Sequence, residues 1–184
     1  MSKLAIIGAL GAAILLAGAT VGLAAAEVEL PARKSGYWEI EMVHGKAGLV
    51  PPTIVHTCVD AASDKAMMAM GLSAMKEMCR QTDIQHQGDT FIWDSACDMG
   101  IMKTTSHAVT SGDFQSNYTI TITGEVSGLS KTPKPSLTTQ NAKWLGETCQ
   151  NGLVPGDIQM DGGPKMNIND MMKTMGDGAA KPAQ

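Results

Sequence analysis

The sequence lacks the features by which nucleic-acid-binding proteins and several enzyme classes are recognised. Only 17% of its residues are charged, and its 14 Lys and Arg residues are outnumbered by 18 Asp and Glu residues. Nucleic-acid binding depends on neutralising phosphates with Lys and Arg, so this class is excluded. The motifs G-x-S-x-G, H-E-x-x-H and C-x-x-C are missing, and the four histidines are scattered along the chain. We therefore predict a protein that is not an enzyme.

The first residues indicate export. Lys3 precedes an uncharged apolar run over residues 4–23, and three alanines at 24–26 end that run just before Glu27. A positive start, an apolar stretch and small residues at its end are typical of a cleavable secretory signal peptide, here residues 1–26. A membrane anchor is the alternative, because a run of this length could span a bilayer. Glycines interrupt the run and no positive cluster follows it. We therefore expect cleavage, no membrane span afterwards, and a periplasmic or secreted protein.

The sequence has no closely spaced cysteine pair of the kind that binds zinc. Its four cysteines are Cys58, Cys79, Cys97 and Cys149, and the nearest two are 18 residues apart. An even number of cysteines in an exported chain predicts two disulfides. Three pairings are formally possible. We favour Cys58–Cys79 with Cys97–Cys149, since neither loop is then nested inside the other.

Alternating apolar and polar residues predict a mainly β fold. In the first strand Trp38, Ile40 and Met42 lie on one face and the two glutamates on the other. Predicted strands cover residues 37–43, 53–59, 83–86, 90–97, 102–110, 114–123 and 136–148. Residues 60–79 instead repeat at three- and four-residue steps, which predicts an amphipathic helix. We expect an antiparallel meander of about seven strands, forming a small sandwich or open barrel, with this helix packed on it.

Four regions follow from this pattern. They are a signal peptide at 1–26, a lead-in at 27–34, a disulfide-stapled β domain at 35–150 and a Gly- and Met-rich mobile tail at 151–184. The tail could form a short helix at 167–175. Because both predicted disulfides lie upstream, we expect truncation after Gln150 to leave the thermal midpoint of the domain nearly unchanged.

Methionine is abundant, with 14 residues. The simplest interpretation is that these side chains fill gaps in the core. Thioether sulfur is also a soft ligand for Cu(I) or Ag(I), so copper is the alternative cofactor. A third alternative is an adaptable apolar surface for a partner or a lipid. The candidate metal ligands are Met67, Met70, Met75, Met78, Met171, Met172 and Met175.

The three tryptophans lie on predicted inward faces. Trp38, Trp93 and Trp144 are most simply core residues, but in a barrel they could line a pocket for a small apolar ligand. We therefore expect an exported binding or interaction domain whose partner is an unknown protein or a small apolar ligand. A soft-metal protein and a carrier of an apolar ligand are the specific alternatives.

Several of these motifs together resemble a known family. The resemblance rests on their order and spacing: Gly36-Tyr37-Trp38-Glu39-Ile40, Cys58-Val59, Cys79, Gly88-Asp89-Thr90 leading to Trp93 and Cys97, and Trp144-Leu145-Gly146-Glu147-Thr148-Cys149. The chain is similar over about residues 35–150 to the domain-of-unknown-function family 3617, which consists of exported bacterial proteins. The resemblance implies export and four spaced cysteines, and it implies no activity.

Overall fold

A computed structural model describes residues 31–46 and 48–179, without the side chains of residues 81–83 and 175–179. The predicted signal peptide and the start of the lead-in lie outside the described residues. The elements in chain order are β1 (Gly36–His44), β2 (Thr53–Val59), α1 (Ala61–Met78), β3 (Cys79–Gln87), β4 (Thr90–Met99), β5 (Met102–Gly112), β6 (Asn117–Ser127), β7 (Lys134–Gly146), β8 (Asp157–Met160), β9 (Lys165–Asn167) and α2 (Ile168–Ala179).

The strands form one antiparallel sheet in the order β3-β4-β5-β6-β7-β1-β2-β8-β9. The predicted mainly β antiparallel architecture with a helix packed on it is confirmed. The sheet is not closed, and the seven predicted strands correspond to β1 to β7 with shifted ends. The structure adds β8 and β9 beside β2.

Helix α1 links the middle of the sheet to its far edge. Its N-cap is Asp60, whose carboxylate accepts a 2.7 Å bond from the Ser63 N–H, while the Ser63 hydroxyl accepts one from the Asp60 N–H. The strands that α1 joins, β2 and β3, are six positions apart in the sheet. Six strand spacings amount to about 29 Å, and a helix of this length rises about 27 Å. The helix therefore lies across one face of the sheet, which we call the inner face.

The main core lies on the inner face. It consists of Trp38, Val59, Phe114, Tyr118 and Ala142, with Met67 from α1 packed against them. A second, smaller cluster holds Tyr37, Cys58, Leu153 and Cys149. Tyr37 precedes Trp38 in β1, and successive side chains of a strand point to opposite faces. The second cluster therefore lies on the outer face.

The disulfides join Cys58 to Cys149 and Cys79 to Cys97, so the predicted pairing was wrong. Cys79 and Cys97 are opposite one another in the β3–β4 ladder. Cys58 lies opposite Tyr37 in β1, and Tyr37 on its other side lies opposite Gly146, three residues before Cys149. One disulfide loop is thus nested inside the other, because the sheet order and not loop length brings the sulfurs together. The two disulfides fit an oxidising compartment.

The domain does not end at residue 150, which corrects the predicted boundary. Strand β8 pairs with β2, and Leu153 and Ile168 are buried. The Gly156 N–H donates to the Cys58 carbonyl oxygen at 2.9 Å, and α2 lies against α1. Within the described residues, neither helix is long and apolar enough to cross a membrane.

Candidate functional site

A cavity of about 420 Å³ lies between α1 and the inner face of the sheet. The helix contributes one side of it and the strands β4 to β7 the other, with the chain before β1 at one end. Its lining consists of Pro31, Arg33, Asp64, Met67, Met68, Gly71, Phe91, Trp93, Thr110, Phe114, Tyr118, Ile120 and Gln140. Most of these side chains are apolar or aromatic, as in ligand pockets generally.

Aromatic rings form one continuous wall of the cavity. Phe114 stacks on Tyr118 with ring centroids 4.7 Å apart and meets the edge of Phe91 at 6.4 Å. The alternation predicted that Phe114 begins the strand at 114–123. In the structure Phe114 precedes β6 and has a φ of 56°. This left-handed conformation is uncommon for a non-glycine residue. It turns the ring into the core, where Phe114 is buried.

The turn that holds Phe114 is fixed by the Asp113 carboxylate. This carboxylate accepts hydrogen bonds from the Ser116 hydroxyl at 2.6 Å and from the backbone N–H groups of Gln115, Ser116 and Asn117. These bonds, led by that from the Ser116 hydroxyl, hold the pKa of Asp113 well below its usual range.

An ion pair closes one end of the cavity. The Arg33 Nε donates to Asp64 Oδ1 at 2.6 Å, the Arg33 backbone N–H donates to Asp64 Oδ2, and Arg33 Nη2 contacts the Met67 sulfur at 3.3 Å. Lys34 anchors the same segment, because its N–H donates to the Phe114 carbonyl. Arg33 falls in the predicted lead-in at 27–34, outside the predicted domain. Its role depends on a contact 31 residues along the chain, which no local pattern signals.

Two further polar groups face this region. Burial raises the pKa of the Tyr118 hydroxyl, an effect that the nearby Arg33 partly offsets. The Thr110 hydroxyl is buried and has no hydrogen-bond partner within the described part of the protein. A buried polar atom without a partner is costly and needs a physical explanation. Thr110 lines the cavity, but its hydroxyl oxygen is buried, so a ligand reaches it only if neighbouring side chains move.

The three tryptophans occupy different places. Trp93 lines the cavity, whereas Trp38 is fully buried in the core, with its ring N–H donating to the Lys34 carbonyl at 2.8 Å. The ring N–H of Trp144 donates to the Ser35 carbonyl at 3.1 Å, and Lys34 lies over this ring. Trp38 and Trp144 therefore support the segment that ends the cavity without lining it.

The methionines proposed as metal ligands are also spread out. Met67 lines the cavity, and its sulfur accepts a hydrogen bond from the Arg33 guanidinium. This cation would repel a metal ion at the sulfur. Met70 and Met75 are half-buried, Met78 is exposed on α1, and Met171 and Met172 are exposed on α2. The side chain of Met175 lies outside the described residues. Among the described residues, no group of three or more His, Cys, Asp or Glu could hold a metal ion either.

The chain matches a protein family of unknown function. The model of a protein family described as "Protein of unknown function (DUF3617)" matches residues 33–149. No curated protein matches the chain. No solved structure matches it.

Proposed function

The chain belongs to the DUF3617 family of proteins of unknown function. We propose that it is an exported, non-enzymatic binding protein for a small, neutral, amphiphilic ligand. The observation that carries this proposal is the cavity between α1 and the inner face, which combines an apolar lining with one buried hydroxyl that lacks a partner. Export, to the periplasm or the medium, is supported by the predicted signal peptide and by the two disulfides.

The lining defines the chemistry of the ligand. A volume of about 420 Å³ suits a molecule of modest size. Phe91, Trp93 and Ile120 favour an apolar or aromatic body. The Thr110 hydroxyl can donate or accept a hydrogen bond, so a small movement of the side chains that cover it would let it bind one polar group of the ligand.

The charges of the site favour a neutral ligand. Arg33 and Asp64 bind each other at the end of the cavity and together contribute no net charge. A ligand carboxylate would compete with Asp64 for the guanidinium and leave one buried carboxylate unpaired, which is costly. We therefore expect neutral alcohols or phenols to bind better than acids of the same size.

Displacement of a neutral fluorescent probe tests this proposal. N-phenyl-1-naphthylamine should bind the protein with enhanced emission, and 2-naphthol should displace it better than naphthalene, which lacks the hydroxyl. Thr110→Val should reduce this preference by about fivefold, since a hydrogen bond contributes about 1 kcal/mol net. The variant should remain folded, because it removes a buried hydroxyl without a partner. Equal displacement by both compounds in the unchanged protein would contradict the role of Thr110.

Position 71 provides a matched pair of variants for the cavity itself. A Cβ at Gly71 meets nothing within 4 Å, and Gly71 lines the cavity. Gly71→Ala should bind the probe normally and stabilise α1 by about 0.5–1 kcal/mol. Gly71→Phe adds a ring at the cavity and should weaken probe binding. If the probe fails to bind the unchanged protein, or if Gly71→Phe binds it as well as Gly71→Ala does, the proposed ligand site is wrong.

A further inference from the structure

Three hairpin loops meet at one end of the sheet. They connect β1 to β2 (residues 45–52), β4 to β5 (residues 100–101) and β6 to β7 (residues 128–133), and we call these loops together the tip end. The strand order places the three hairpins side by side. Neighbouring hairpins are therefore roughly 10 Å apart across the sheet, which is two strand spacings. The β1–β2 loop begins further from the tip than the other two, since His44 lies opposite Thr138, four residues inside β7.

Each of these loops exposes a large aliphatic side chain. Ile101 is 81% exposed, Leu49 76% and Leu129 64%, and Val50 lies beside Leu49. Two of these loops contact one another, and the third contacts strand β7. Gly128 packs so closely on the Ile101 carbonyl that a Cβ there would clash with it. The Gly45 N–H donates to the Leu137 carbonyl of β7 at 2.8 Å. Ile101 and Leu129 therefore belong to a single surface, and the loop that carries Leu49 lies beside it.

The opposite end of the sheet differs in character. Its two tight turns are residues 88–89 and 113–116, and their exposed residues are polar or glycine, with carboxylates at Asp89 and Asp113. Phe114 lies in one of these turns but is buried. Exposed aliphatic side chains are thus concentrated at the tip end, although Val154 in the loop before β8 is also exposed at the opposite end. Isolated exposed aliphatic residues are common, but one on each of three adjacent hairpins is a patch that needs a partner.

The charge of the tip end is opposite to that of the whole chain. The chain has a formal charge of −4. The three loops with their flanking residues carry Lys46, Lys103, Lys131 and Lys134, all exposed, and two carboxylates, Asp98 and Glu125. Arg80 and Lys103 lie 3.1 and 3.5 Å from Asp98 and outnumber it. The fourth turn at this end, β8–β9, carries Asp161 and adjoins the β1–β2 hairpin, since the Asp161 N–H donates to the Ile54 carbonyl at 3.0 Å. The five cations named here still outnumber the three carboxylates.

We propose that the tip end docks on the surface of an anionic phospholipid bilayer. Exposed aliphatic side chains flanked by lysines are the combination by which peripheral proteins enter the headgroup region, because the apolar tips insert while the cations meet lipid phosphates. Leu49, Ile101 and Leu129 insert, and the four lysines attract the anionic surface. This inference is independent of the ligand cavity and remains testable if that proposal fails.

Vesicle co-sedimentation tests the inference. The protein beginning at Glu27 keeps every described residue and removes the apolar run at 4–23, which could bind lipid by itself. It should sediment with vesicles of phosphatidylcholine mixed with phosphatidylglycerol, and much less with phosphatidylcholine alone. Replacing Lys46, Lys131 and Lys134 by Gln should abolish this preference, at about fivefold in partition coefficient for each lysine. Added salt should weaken binding of the unchanged protein in the same way.

The apolar contribution is tested separately. Leu49→Ser, Ile101→Ser and Leu129→Ser combined should lower binding to the mixed vesicles by at least about tenfold. Val154→Ser is the matched control, because Val154 is 55% exposed but precedes β8 at the opposite end, and it should bind as the unchanged protein does. No sedimentation of the unchanged protein, equal loss in the control, or capture of a protein at the tip end without vesicle binding would each overturn the proposal.

Discussion

Replacing Ile168 by alanine should destabilise the whole domain, although this residue lies beyond the last cysteine. Ile168 is 0% exposed at the start of α2, its N–H donates to the Gly156 carbonyl, and its Cγ2 lies against Gly156. Gly156 in turn donates to the Cys58 carbonyl at the end of β2. Removing the buried atoms of an isoleucine costs about 2–5 kcal/mol, including the cavity left behind. For a domain of this size that corresponds to a fall in Tm of roughly 4–20 °C.

The measurement is unfolding in urea followed by tryptophan fluorescence, with thermal unfolding followed by circular dichroism. Trp38 is fully buried and reports the main core, which is separate from the site of substitution. Met172→Ala is the matched control, because Met172 lies four residues further along α2 and is 45% exposed. That variant should stay within about 0.5 kcal/mol of the unchanged protein.

The reasoning would be refuted if Ile168→Ala and Met172→Ala were equally stable. Truncation after Gln150 gives a second test of the same point. It removes β8 and the buried Leu153 and Ile168, so the midpoint should fall rather than remain unchanged, as the sequence alone suggested. An unchanged midpoint in the truncated protein would restore the boundary at residue 150.

Two further predictions concern the cysteines and the response to acid. Peptide mapping without reduction should give Cys58–Cys149 and Cys79–Cys97, and recovery of a Cys58–Cys79 peptide would contradict the strand order. Asp113 has a pKa lowered by its hydrogen bonds, so its stabilising contribution is complete above its unfolded value of about 4 and is lost as the pH falls below it. Asp113→Asn should therefore be less stable than the unchanged protein at neutral pH and equally stable in strong acid. A difference in stability that does not depend on pH would show that the charge of Asp113 is not what matters.

Much of the fold could be predicted from the sequence because most of the strands alternate. The segments around Trp38, Trp93 and Tyr118 have a strict period of two and lie in strands close to the predicted ones. The helix at 60–79 was found from its different period, and the structure places Asp60 as its cap. These are local signals, which can be recognised in one sequence without knowledge of distant contacts.

The end of the domain could not be predicted because its residues give no local signal. Strand β8 has four residues and β9 has three, and both lie among glycines and prolines. Their order comes from pairing with β2 about 100 positions earlier, as in the bond from the Thr57 hydroxyl to the Asp157 carbonyl. The disulfide pairing failed for the same reason, because it depends on which strands are neighbours.

The candidate site was predicted only in part. An apolar pocket with tryptophan in its lining was one alternative, and Trp93 does line the cavity. Arg33, Asp64 and Thr110 were not identified, since each looks like an ordinary polar residue of a loop, a helix or a strand. Their significance lies in burial, which depends on how α1 crosses the sheet.

The order of the strands in the sheet has a consequence for how the protein assembles. Strands β3 to β7 are neighbours in chain order, and Cys79–Cys97 closes a separation of only 18 residues within them. Pairings between segments close in sequence form first, because closing a long loop costs more entropy. Strand β1 pairs with β7, and Cys58 must find Cys149 across 91 residues. Because synthesis runs from the N-terminus, the β1–β2 hairpin is synthesised first. Both of its edges stay unpaired until β7 and β8 have been synthesised. An early hairpin with open edges is where a stalled chain would aggregate.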